Sequence, residues 1–310
     1  MGTAYFVSLP GRYFCSMYYF YYTLLYLLSL LPDRLLYFIG DGFYVLAYYV
    51  IGYRKKVVMS NLLIAFPDKT AAERIRIAKD FYHQFVNTMV ETIQLIAMSD
   101  KRFDQRVTSN VEVLNRYIDA GKNVQLHTAH FFNWEMINLG VARKSLFPFV
   151  GVYMSFTNKS FDRIMYQMRK RFNTILIPAA EFKDRFHEYV KGKYALGLVA
   201  DQNPARIDKA YWVSFFDKIT AFTSGPERGA RANDTVVMFI SIQQSRRGHY
   251  HLHYELITEN PASLPEGELT KMYVRYLEAA IRANPSNYLW SHRRWKWAYN
   301  PADPAQRLIS

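Results

Sequence analysis

The stretch QLHTAHFFNWEMINLG, residues 125–140, places His127, His130, Asn133, Trp134 and Glu135 within nine positions. Its flanks are mostly apolar, in the pattern of a strand running into a helix. An imidazole held in one tautomer by a carboxylate is a general base. Such a base takes the proton from a substrate hydroxyl, and the resulting nucleophile can attack an acyl carbonyl without a serine or cysteine from the protein. On one continuous helix, five residues turn about 140° past a full revolution, so His130 and Glu135 would not face each other. They converge if His130 lies in the strand-to-helix loop and Asn133 caps the helix carrying Glu135. Other readings of the bare pattern stay open. The polar groups can be satisfied members of an ordinary core. His127, His130 and Glu135 can be a metal set, although the spacing is not H-E-x-x-H and no nearby third histidine completes it. A Ser-His-Asp hydrolase lacks its G-x-S-x-G elbow.

The elements that must position these residues follow from hydrophobic periodicity. Thr70-x-x-Glu73 reads as a capping box opening an amphipathic helix to about Met98. His83 and Glu91 fall on it and read as solvated or hydrogen-bonded helix positions. From residue 111, strands alternate with helices: strands at 124–128, 148–154, 174–177 and 195–200, helices at 111–120, 134–143, 160–172 and 180–191. A helix at 225–232 precedes a strand at 235–243, a hairpin partner at 250–257 and a helix at 267–283. This alternation predicts an α/β fold with a mixed central sheet flanked by helices. Sites in such sheets gather at loops leaving the carboxyl ends of strands.

The N-terminal region differs. Tyr13 to Pro32 carries no charge, about the length of a spanning helix, although its tyrosines also suit the interface. A second apolar stretch is closed by Arg54, Lys55 and Lys56. We read residues 1–56 as a hydrophobic, helical membrane-anchoring segment and 57–310 as one catalytic domain; the alternative is a buried helix pair. The apolar run is too long for a cleaved signal peptide. The single cysteine, Cys15, excludes an intrachain disulfide framework. A net charge of +13 calls for a polyanionic partner. The 25 tyrosines point to a membrane interface rather than nucleic acid.

HFFNWE, LVADQNP, FTSGPE and NPSNYLWSHRRWKW occur in this order along the chain. Together with GYRKKVVMSNLLIAFP, they make the sequence resemble the lysophospholipid acyltransferase superfamily, and within it the late, lauroyl- or myristoyl-transferring lipid A biosynthesis acyltransferases of bacteria. The resemblance runs from about residue 20 to 300. It implies His130 as general base and Glu135 as its orienting partner. Asn133, Asp201 and Gln202 fall at family substrate or support positions, and Arg169 or Arg171 in a region where an arginine contacts substrate. Arg293 and Arg294, between tryptophans, suit an anionic headgroup. Phe132 departs from the family's usual glycine, which leaves the acyl-chain path open. The implied reaction moves a fatty acyl chain from acyl carrier protein or coenzyme A to a hydroxyl of a phosphorylated glycolipid. It needs no metal or bound cofactor. The implied place is the cytoplasmic face of the bacterial inner membrane. Another acceptor, such as an amino-acid lipid or lysophospholipid, and a non-catalytic membrane-surface binding protein are the alternatives.

Overall fold

The computed structural model describes residues 10–309, with side chains from residue 17 onward. The first nine residues of the expected anchor and the Cys15 side chain lie outside the described residues. A seven-stranded sheet runs in the order β1 (Val107–Ser109), β9 (His249–Thr258), β8 (Val236–Arg246), β2 (Val124–Thr128), β5 (Ala195–Val199), β3 (Phe149–Tyr153), β4 (Ile175–Pro178). Every adjacent pair is parallel except β8 with β9. The sheet is therefore mixed, and the late hairpin makes it so. β2 sits at its centre and is buried along its whole length, as expected for a strand covered on both faces.

Helices cover the sheet: α4 (Ala71–Leu95), α5 (Asp100–Arg106), α6 (Glu112–Asp119), α7 (Trp134–Lys144), α8 (Lys159–Arg169), α9 (Phe182–Tyr189), α10 (Gly225–Ala232) and α11 (Glu268–Ala283). α4 opens with the reciprocal Thr70–Glu73 capping box. A second sheet of three strands, β6 (Ala210–Phe215), β7 (Lys218–Thr223) and β10 (Arg307–Leu308), was not foreseen. Its hairpin turns through Phe216 and Asp217, both at positive φ, without the Asn or Gly that usually signals such a turn.

At the N-terminus, α1 (Pro10–Ser29) and α2 (Asp33–Val45) lead through a π-helical turn into α3 (Lys55–Ala65). The continuous helical stretch Asp33–Ile51, of mean hydropathy 1.2, is the one helix among the described residues long and apolar enough to cross a membrane. It lies in the second of the two apolar stretches of the expected anchor; tyrosines lower the hydropathy of the first, residues 13–32. α1 packs on α4 and α8, and α2 packs on α4. Gly40 allows the second contact: a Cβ there would come within 3.0 Å of Val90. Tyr19, Phe20 and Leu27 on α1, and Phe38, Phe43, Val50 and Ile51 beyond it, remain exposed.

Candidate active site

β2 and β5 lie side by side in parallel, with Thr128 opposite Val199. Two residues past each strand end stand His130 and Asp201, and the shared register brings them together. His130 Nδ1 lies 2.8 Å from Asp201 Oδ1, and the same oxygen accepts the His130 backbone N–H at 3.2 Å. Burial alone would push the Asp201 carboxyl up, but the neighbouring His130 charge and its two hydrogen bonds, with Arg294 further off, hold it below the ordinary carboxylate range. Burial alone would push the imidazole down; Asp201 outweighs this and raises it above its ordinary 6.5. A carboxylate at Nδ1 fixes the proton there and leaves Nε2 as the basic nitrogen.

Glu135 does not orient His130. α7 starts at Trp134, with Asn133 as its cap, accepting the Glu135 amide at 3.1 Å. From this first turn the Glu135 carboxylate meets Arg169 at the end of α8. Arg169 donates from Nε at 3.1 and 3.0 Å and from Nη2 at 2.6 Å. The Trp134 indole N–H donates to the same carboxylate at 3.1 Å. The expected His–Glu contact is thus replaced by two pairs, His130–Asp201 and Glu135–Arg169, because the loop carries His130 toward β5 and the helix carries Glu135 toward α8.

His130 and the Glu135–Arg169 pair line one cavity of about 640 Å³, together with Trp134 and Gln202, while Asp201 is buried behind His130. The rest of its wall is largely apolar, from Leu126, Ile137, Phe149, Phe156, Leu198 and their neighbours. Gly151 and Gly197 are register partners on β3 and β5 and both line it, so the sheet there offers no side chains. A Cβ at Gly197 would strike the Phe149 ring at 2.6 Å. At the rim stand Met154, 80% exposed, and Val199, 48% exposed. The Phe156 ring packs edge-on against Phe161, centroids 4.9 Å apart.

The remaining expected residues divide. Arg171 is tied to Asp100 and to the Leu95 carbonyl and is absent from the cavity wall. Arg293 is exposed. Arg294 is 1% exposed, turned into the protein and not toward its surface. It donates to Asn203 Oδ1 at 3.2 Å and the Ala221 carbonyl at 2.8 Å, and its guanidinium lies 4.1 Å from the Phe222 ring centroid. Phe132 is buried against Phe81, Phe85 and Trp134, outside the cavity. His127 sits on the opposite sheet face, against Gln125 and Tyr273, where burial pushes it down to about 4. His127, His130 and Glu135 therefore do not converge on a metal.

Four site supports escaped the sequence reading. Asn287 accepts the Phe132 amide at 2.9 Å, and the Leu289 amide donates to the His130 carbonyl at 3.2 Å. Asn61 on α3 donates to the Trp290 and His292 carbonyls, each at 2.7 Å. Asn203 donates to the Arg293 carbonyl at 2.8 Å. The fourth, Glu91, is buried completely and hydrogen-bonded to Tyr37, Asn133 and Tyr250, the hydrogen-bonded of the two states expected for it on the helix. WSHRRW is thus chiefly a latch behind the loop that carries His130. No local signal marks these asparagines, whose partners lie more than 80 positions away in sequence.

Fold and site define an α/β protein with an imidazole–carboxylate pair at adjacent strand ends, opening on an apolar cavity. The chain belongs to the bacterial lipid A biosynthesis acyltransferase family, whose model matches residues 9–297. It is similar to the lipid A biosynthesis lauroyltransferase of Escherichia coli (strain K12), with 26% identity over 283 residues, 88% of this chain and 89% of that protein. It is also similar to the lipid A biosynthesis palmitoleoyltransferase of the same organism, with 23% identity over 274 residues, 86% of each chain. A lipid A biosynthesis acyltransferase of Shigella flexneri matches to the same extent.

Proposed function

We propose that this protein is an O-acyltransferase that moves a fatty acyl chain from an acyl thioester to a hydroxyl of a lipid A precursor or related phosphorylated glycolipid. The observation that carries this reading is the His130–Asp201 pair at the head of an apolar cavity. Nε2 of His130 takes the hydroxyl proton, and the alkoxide attacks the thioester carbonyl. The tetrahedral intermediate collapses, the C–S bond breaks, and the imidazolium passes its proton to the departing sulfur, which leaves as the thiol and restores neutral His130. Asp201 stabilises that imidazolium. The acyl chain lies among the apolar side chains, which exclude water from the reacting centre. Arg169, fixed by Glu135 through Nε and Nη2, turns its remaining N–H groups to an oxyanion or a phosphate.

The basic surface serves an acidic acyl carrier protein or the phosphates of coenzyme A, and the phosphates of the acceptor. The exposed apolar face of the N-terminal helices, the Asp33–Ile51 stretch and the rim at Met154 and Val199 support seating in an anionic bilayer. We place it at the bacterial inner membrane with the catalytic domain on the cytoplasmic face. Purified protein should transfer acyl groups to a lipid A precursor in detergent from acyl carrier protein or coenzyme A thioesters, assayed in parallel. His130→Ala should lower transfer about a hundredfold or more. Undiminished transfer by His130→Ala would sink this assignment of the base. Lipid profiles of cells with and without the protein then separate a lipid A-type acceptor from an amino-acid lipid or a lysophospholipid. Binding to vesicles with no turnover on any thioester is the outcome expected of a non-catalytic surface protein.

A further inference from the structure

Glu91 lies in the middle of α4, fully buried, and its carboxylate joins three separate elements. Oε1 accepts the Tyr37 hydroxyl of α2 at 3.0 Å. Oε2 accepts the Tyr250 hydroxyl of β9 at 2.5 Å and the Asn133 side-chain amide at 3.2 Å. Asn133 is thereby oriented: with Nδ2 on Glu91, its Oδ1 faces the Glu135 amide and caps α7 at 3.1 Å. The first turn of α7 then aims Glu135 at Arg169. A second tie holds α2 beside this chain. Gln94 donates to Asp33 at 2.8 Å, Arg106 pairs with Asp33, and Arg106 donates to Gln94 at 2.8 Å. A buried carboxylate is costly and persists where its hydrogen bonds fix a geometry.

We propose that Glu91 is a positioning residue for acyl transfer, through which the seating of α2 on α4 sets the Asn133 cap and, with it, the Glu135–Arg169 wall of the active site. This rests on the acyltransferase reading only for its kinetic readout. The dependence on α2 is specific: the helix that carries Tyr37 belongs to the stretch that, among the described residues, is long and apolar enough to cross a bilayer. Its placement in the membrane and the alignment of the site are one mechanical unit. A carboxylate suits this junction because both oxygens accept, whereas an amide must turn a donor toward at least one partner.

The test uses the full chain in detergent, with Glu91→Gln, Tyr37→Phe and the double variant. A tyrosine hydroxyl can rotate to accept from an amide, so Glu91→Gln is expected to fold. It should lower kcat roughly tenfold, with KM for the acyl thioester changed less than about twofold, because alignment rather than donor binding is lost. Tyr37→Phe should give a smaller loss of the same kind. The double variant should be no worse than Glu91→Gln, since both act through one carboxylate. Hydrogen exchange at the Glu135 amide, which needs no turnover, should speed up in both single variants. A rise in KM at constant kcat, losses that multiply in the double variant, or unchanged exchange at Glu135 would overturn the proposal. If Glu91→Gln does not fold, Tyr37→Phe alone decides: unchanged kcat and unchanged Glu135 exchange refute it. Failure of the wild-type chain to transfer any acyl group counts against the acyltransferase reading, and the exchange measurement still judges the coupling.

Discussion

His130 Nδ1 stands 2.8 Å from Asp201 Oδ1, across two parallel strands and 71 positions of sequence. Asp201→Asn keeps the size of the side chain but presents an amide, which can hold the imidazole in the wrong tautomer. Transfer should fall by about 10²–10⁴ in kcat with the fold retained. Steady-state kinetics and circular dichroism check this together.

The same pair sets the pH dependence. His130 must be neutral to act as base, and Asp201 raises its pKa above the ordinary 6.5. kcat/KM should therefore climb with pH through a limb above 6.5. In Asp201→Asn the raising influence is gone and burial, which lowers the imidazole, remains. The limb of the residual activity should move to lower pH. A limb that stays in place would assign the titration to another group.

Glu135 and Arg169 form a pair in which the carboxylate is 3% and the guanidinium 17% exposed. Arg169→Ala strands a buried anion and should cost about 3 kcal/mol or more in denaturant unfolding. Glu135→Ala leaves a cation with some access to water and should cost less. The double variant should be less destabilised than the sum of the two. Both single variants should also lose transfer, since each dismantles the cavity wall.

Arg293 and Arg294 are neighbours with opposite environments. Arg294→Ala should destabilise the protein by about 2 kcal/mol or more, because the buried Ala221 carbonyl and the half-buried Asn203 side chain lose a charged donor. Arg293→Ala should leave the unfolding midpoint nearly unchanged and weaken association with anionic vesicles. Midpoints and vesicle co-sedimentation measure the two effects separately.

His127 makes the fold acid-sensitive. Its pKa is pushed from 6.5 in the unfolded chain to about 4 by burial. Between these values the unfolded chain binds a proton that the folded chain refuses. Stability should thus decline as pH drops through 6.5 and level off below about 4. His127→Gln should flatten that part of the curve, read as urea midpoints against pH.

The loop that carries His130, the α/β class and most elements were legible in the sequence because their signals are local. Apolar alternation marked β2, which the structure returns at Val124–Thr128 as expected, and Asn133 marked the start of α7. The ordered motifs from HFFNWE to WSHRRW identified the family. What the sequence could not supply was which carboxylate meets His130. The family resemblance pointed to Glu135, five positions away, whereas the register of β2 on β5 delivers Asp201. Proximity in sequence constrains backbone geometry, but side-chain partners are chosen where strand ends align. The same reason hid Glu91 and the asparagines of the latch. A polar residue on an amphipathic helix carries no mark of burial until another element packs over it, and in this protein that element is the N-terminal helix carrying Tyr37.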